Sequence, residues 1–152
     1  MRHLNHKHGL GLKKEHRVAL MAALASALFT HGRIRTTLAK ARALRPFAEK
    51  VITLAKKAAL TEDKAVKIHY RRLAMARVRD EAAVKTLFTE RATEFLKREG
   101  GYTRIYKLGQ RVSDAAETAL IELVAANDEG YKKTAKKPVA KKVKKAKTEA
   151  VA

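Results

Sequence analysis

Apolar residues recur at helical spacing through most of the first hundred positions, and then give way to short β-prone runs. From Glu15, the stripe Val18, Met21, Ala22, Ala25, Leu28 and Phe29 predicts a helix, with Gly32 placed to stop it. Ile34 to Thr37 is short and β-prone, and either Thr36 or Thr37 can serve as N-cap for a second helix beginning near Leu38. Leu44, Phe47, Ala48, Val51, Leu54, Ala55 and Ala58 then share one face through to Ala59, with Pro46 expected to kink or break the helix because it lacks an N–H. Thr61, Glu62 and Asp63 read as the start of a third helix reaching about Val78, with a stripe of Val66, Tyr70, Leu73, Ala74 and the stem of Arg77. Asp80 can cap a fourth helix whose apolar face is Val84, Leu87, Phe88, Phe95 and Leu96, ended by Gly100 and Gly101.

Beyond the glycines, Tyr102 to Leu108 and Thr118 to Ala125 predict an antiparallel hairpin with a long polar loop. Two strands alone are marginal, so Ile34 to Thr37 is the expected third strand. The fold class that follows is α+β: helix, strand, three helices, two strands, with a small mixed three-stranded sheet packed on helices. Phe29, Phe47, Phe88 and Phe95 all fall at helical core positions.

Both ends depart from this pattern. Residues 1–14 hold Gly9, Gly11 and three histidines without a helical period, and read as a basic arm. Residues 15–126 make one globular domain, and 127–152 make a Lys-rich tail with no apolar period, expected to be disordered when free. Charge follows the same division. Residues 1–45 carry ten Lys/Arg against Glu15 alone, hence +9, and five of the six histidines. Residues 46–130 carry sixteen bases against thirteen acids (+3), and 131–152 carry nine lysines against Glu149 (+8), which together make the net +20. A compact body so charged repels itself, and a polyanion relieves that repulsion by giving up condensed counterions to Lys and Arg.

Several function classes lose support. There is no cysteine, hence no disulfide framework or thiolate metal site, which suits a reducing compartment. The longest apolar run, Val18 to Phe29, is well short of the roughly 20 residues a membrane span needs, and the N-terminus does not resemble a secretory signal. The expectation is an intracellular protein. A glycine-rich phosphate loop, a nucleophile elbow and an acid paired with histidine at motif spacing are all missing, so neither an enzyme, a cofactor nor a small-molecule substrate is expected. His3, His6, His8 and His16 could suggest a metal cluster, but no thiol accompanies them and no carboxylate precedes Glu15 to complete a tetrahedral set.

The chemistry that remains is nucleic-acid contact. Arg2, Lys7, Lys13, Lys14 and Arg17 can neutralise phosphates, while His3, His8 and His16 can stack on bases or donate to phosphate. Arg33, Arg35, Lys40, Arg42 and Arg45 straddle the strand-to-helix junction with no acid between Glu15 and Glu49, which favours contact over a merely solvated face. Arg71, Arg72, Arg77 and Arg79 are weaker candidates because Asp80 and Glu81 are near enough to pair with some of them. Tyr102 and Arg104 could offer an aromatic platform and a cation, or Tyr102 could simply pack on the sheet. A nucleoid-associated, histone-like DNA-binding protein is the main alternative, since such proteins carry Lys, Ala, Val and Pro tails. A membrane-surface binder is a third class, without apolar or aromatic anchors in the tail.

In chain order, certain segments carry a resemblance: Met1-Arg2-His3, His16-Arg17, Thr30-His31-Gly32-Arg33-Ile34, Thr36-Thr37, Lys40-Ala41 and Leu44-Arg45. They continue with Ile52-Thr53-Leu54-Ala55-Lys56, Leu87-Phe88, Gly100-Gly101-Tyr102-Thr103-Arg104-Ile105, Asp114 and Ile121-Glu122-Leu123. This ordered set resembles the bacterial large-subunit ribosomal protein L-seventeen family. The resemblance implies a structural, rRNA-binding protein of the large subunit, on its solvent side near the nascent-chain exit. It also implies neighbouring large-subunit ribosomal proteins as partners and a cytoplasmic, ribosome-bound location. Thr36 and Thr37, in the matching junction segment, join the expected RNA-contact residues. The chain differs from the family pattern in an arm richer in His than in Arg, in Pro46 within the second helix, and in the length of the Lys-rich tail.

Overall fold

A computed structural model describes residues 8–124. The expected arm contacts Arg2, His3 and Lys7, and the Lys-rich tail, lie outside the described residues. The elements run α1 (Lys14–His31), β1 (Arg33–Thr37), α2 (Leu38–Leu60), α3 (Lys64–Val78), α4 (Glu81–Thr86), β2 (Thr103–Gln110) and β3 (Glu117–Leu123). The sheet order is β1-β3-β2. Both pairings are antiparallel, so the sheet is not mixed, and the hairpin partner β3 sits in the middle, where it also receives β1.

α2 is the central element. Leu44, Ala48, Val51, Ile52 and Ala55 bury one face of it among Phe29, Leu87, Phe95 and Ile121. The helix runs unbroken through Pro46. Pro46 and Arg42, four residues earlier, are both exposed, so the Arg42 carbonyl that lacks an amide partner lies on the solvent side, where water can satisfy it. Thr37 occupies the N-cap position, without a side-chain hydrogen bond to the helix.

α3 packs along one row of every fourth residue. Ala74 and Val78 are buried with Val66 and Tyr70 half-buried above them, while the expected Leu73 is 40% exposed and Arg77 is exposed. Met75 packs against the core beside this row, and Leu73 falls outside both.

The expected fourth helix divides. After α4 the chain widens into a π turn at Leu87–Arg91 and tightens into a 3-10 turn at Ala92–Phe95. In a regular α-helix Leu87 and Ala92 would point about 140° apart; the wider turn brings both to the core, and three-residue periodicity then aligns Ala92 with Phe95. Phe29 and Phe95 are fully buried, whereas Phe47 and Phe88 are only partly buried against the core.

Asp80 joins α1 to α4. Its Oδ1 accepts from the amides of Ala82 (3.0 Å) and Ala83 (3.3 Å), and its Oδ2 accepts from the Ser26 hydroxyl. The Ser26 hydroxyl and then the Ala83 amide hold this carboxyl below its ordinary 3.8. A lowered value means the stabilisation is complete above 3.8 and fades as pH falls below it. Asp80→Ala is expected to cost about 1–2 kcal/mol at neutral pH. The difference from the parent chain should shrink in thermal melts taken below the ordinary carboxyl value; a pH-independent difference would refute the charged cap.

Candidate nucleic-acid interface

Cations gather where helices begin. Lys13 holds the N-cap position of α1 and Lys14 is its first residue, with Glu15 the one acid in the first turn. The first turn of α2 has no acid at all, and Lys40 and Arg42 follow within two turns of its start. Positive side chains at the positive end of a helix dipole are unfavourable in the free protein, and a phosphate placed there relieves both the dipole and the side chains. Lys13, Lys14 and His16 are exposed, as is His8 just ahead of the helix.

β1 feeds α2 directly, so the junction is stiff. Along β1, Arg33 and Arg35 face away from the core and are exposed, while Ile34 packs inward and Thr36, on the same side, is half-buried. Register extends the outward face across the sheet: Arg33 stands opposite Glu122 and Arg104 opposite the same residue, while Arg35 and Tyr106 flank Leu120. The Tyr106 hydroxyl donates to Glu122 (2.9 Å) and accepts from Arg104 Nη1 (3.4 Å). Among the described residues, Arg33, Arg35, Lys40 and Arg42 have no carboxylate within ion-pair distance.

Two expected contacts need correction. Tyr102 is only 4% exposed and meets Phe95 edge-on, with ring centroids 5.4 Å apart, so it belongs to the core and offers no platform. On the same face, two residues past Arg104, Tyr106 is 41% exposed. Arg45 is not uncompensated either. One helical turn on, Glu49 reaches it (Nε to Oε1, 3.5 Å) while also accepting from Thr103 (3.1 Å). Such a surface pair is weak, and Arg45 still shares a depression with Arg98, Arg104 and Thr103. Of the weaker arginines, Arg71 does pair with Glu81 (3.6 Å).

Away from the junction some cations are paired and others are not. At the hairpin end, Arg111 donates to Asp114 (Nε to Oδ1, 2.8 Å), which holds the Asp114 carboxyl down at about 2. Arg17, Lys50 and Arg77, from three different helices, line a separate groove. Sequence patterns could not assemble that groove, because its residues are distant along the chain.

Residues 20–124 match the family model for ribosomal protein L17. The chain belongs to the ribosomal protein L17 family. Relatives named large ribosomal subunit protein bL17 agree with this. That of Opitutus terrae is 61% identical over 142 residues, covering 93% of this chain and 83% of the relative. That of Methylacidiphilum infernorum is 52% identical over 80% of this chain and 87% of its own length, and that of Novosphingobium aromaticivorans 51% identical over 82% of each. As a member of the L17 family the chain is a structural ribosomal protein and not an enzyme. The family match takes in β1, α2 and the whole sheet, so the junction is part of the shared body.

Proposed function

We propose that this chain is a cytoplasmic, ribosome-bound constituent of the large subunit that binds large-subunit rRNA. The contacts run through the basic arm and the start of α1 (Arg2, His3, Lys7, His8, Lys13, Lys14, His16, Arg17) and the strand-to-helix junction (Arg33, Arg35, Thr36, Thr37, Lys40, Arg42), with Arg45, Arg104 and Tyr106 beside it. The observation that carries this reading is the row of uncompensated cations on a junction stiffened by the central sheet and α2. Cations held in fixed positions suit the fixed phosphates of folded RNA, and a tethered arm can enter crevices that a globular surface cannot. No helix among the described residues is long and apolar enough to cross a membrane.

Placement near the nascent-chain exit follows the family resemblance. Contact with neighbouring ribosomal proteins is supported by exposed Leu60 and Ile68 at the α2–α3 corner, beside a shallow depression floored by Ala55, Ala58 and Phe88. The nucleoid reading predicts salt-sensitive binding to any duplex instead. Sucrose-gradient fractionation separates the two. The protein is expected with the large subunit after a high-salt wash, and recovery in the nucleoid fraction would overturn the ribosomal assignment.

A further inference from the structure

The groove lined by Arg17 has a composition that the junction does not explain. Val18 and Met21 of α1 and Ala43, Pro46 and Phe47 of α2 make an apolar floor, and His8, Arg17, Lys50 and Arg77 make the rim. No carboxylate lines it, and among the described residues Arg17, Lys50 and Arg77 have no ion pair. Its volume of about 400 Å³ exceeds the roughly 300 Å³ at which small-ligand pockets begin. Val18, at 39% exposed, leaves part of the floor open to solvent. Pro46 lies inside α2, and its exposed pyrrolidine ring forms part of this floor.

We propose that this groove holds one unstacked nucleotide of large-subunit rRNA, with its base on Met21, Pro46 and Phe47 and its phosphate among Arg17, Lys50 and Arg77. A splayed nucleotide presents a flat apolar face and an anion in one unit, which is what the floor and rim together accept. Guanidinium planes add stacking surfaces of their own. Charge argues against the chain's own first seven residues as occupant, since they bring Arg2, His3, His6 and Lys7 and no acid to a rim that is already cationic. A segment of a neighbouring protein would have to supply both the apolar side chain and the acids. This inference rests on the rRNA-binding reading above.

The test uses large subunits assembled with the full chain. Particles containing the protein are isolated on a gradient, and their rRNA bases are probed chemically at nucleotide resolution. With Val18→Trp filling the floor from an exposed position, one base protected by the parent chain is expected to gain about tenfold in reactivity, in line with losing one stacked base. Base reactivities unchanged by Val18→Trp would overturn the groove site while leaving rRNA binding intact. A second variant replaces Val18 with a benzophenone-bearing residue and maps its photo-crosslinks in the particle. An adduct to a nucleotide is expected, and adducts only to another protein or to residues 1–7 of the same chain would give the groove to that occupant and sink the proposal. Failure of the parent chain itself to enter subunits would remove the rRNA reading, and the groove site with it.

Discussion

Reversing Arg33, Arg35 and Arg42 together to glutamate is expected to abolish retention on the large subunit after a high-salt wash while leaving the helical circular-dichroism signal in place. All three side chains are exposed and have no ion pair or hydrogen bond among the described residues, so their loss breaks none. Each phosphate-neutralising cation contributes about one unit to the slope of log affinity against log salt, so the slope should fall by about 3. Arg45 is left out because its reversal would also set a new carboxylate against Glu49. Arg33→Glu carries a smaller version of the same fault, since Arg33 pairs across the sheet with Glu122. The matching Arg→Gln set, which removes charge without adding repulsion, should give a weaker loss in the same direction. Unchanged salt slopes in both sets would show that the junction does not touch phosphate, and a collapsed dichroism signal in the Gln set would mean that these residues serve the fold.

The fold was readable wherever one period ruled one element. Met21, Ala22, Ala25, Leu28 and Phe29 mark the buried face of α1, and Ile34, with β-branched neighbours, marked the third strand that the hairpin needed. Reading failed where the period changes inside an element: Leu87, Ala92 and Phe95 share a core only because a π turn is followed by a 3-10 turn, and no fixed-period stripe describes that. The expectation of Tyr102 as an aromatic platform failed for a different reason, and it did not include Tyr106. Both alternate with Arg104, so local pattern cannot rank them, and the deciding contact is Phe95, which packs on Tyr102 from the preceding turn. Likewise Glu49 lies only one helical turn beyond Arg45, at a distance along α2 where pairing is available. Charge asymmetry along the chain marked out the proposed interface because it needs no tertiary information. The groove around Pro46 draws on the segment before α1 and on three helices, and only folding brings those together.

Gly32→Val is expected to cost about 2–4 kcal/mol and to be the most damaging single change in the α1–β1 corner. Gly32 closes α1 by donating to the Leu28 carbonyl (2.8 Å), and its own carbonyl accepts from the Leu123 amide (2.8 Å), linking the helix end to the strand that pairs with β1. It does this at φ +75°, a left-handed conformation that costs an L-residue roughly 1–2 kcal/mol and a β-branched one more. Space is short as well. A Cβ on residue 32 would stand 3.2 Å from Arg91 Nη2 and 3.3 Å from Nη1, and the buried Arg91 Nε has no hydrogen-bond partner to draw the group elsewhere. The Arg91 guanidinium therefore lies over the negative end of the α1 dipole, where a cation is favoured, and a side chain at residue 32 would require it to shift by a few tenths of an ångström. These two causes can be separated by a double-mutant cycle with Gly32→Ala and Arg91→Ala, read by urea denaturation. If crowding contributes, the double variant should be more stable than the sum of the single losses by about 0.5 kcal/mol or more. Strict additivity would assign the whole cost to the backbone, and a Gly32→Val chain as stable as its parent would refute both.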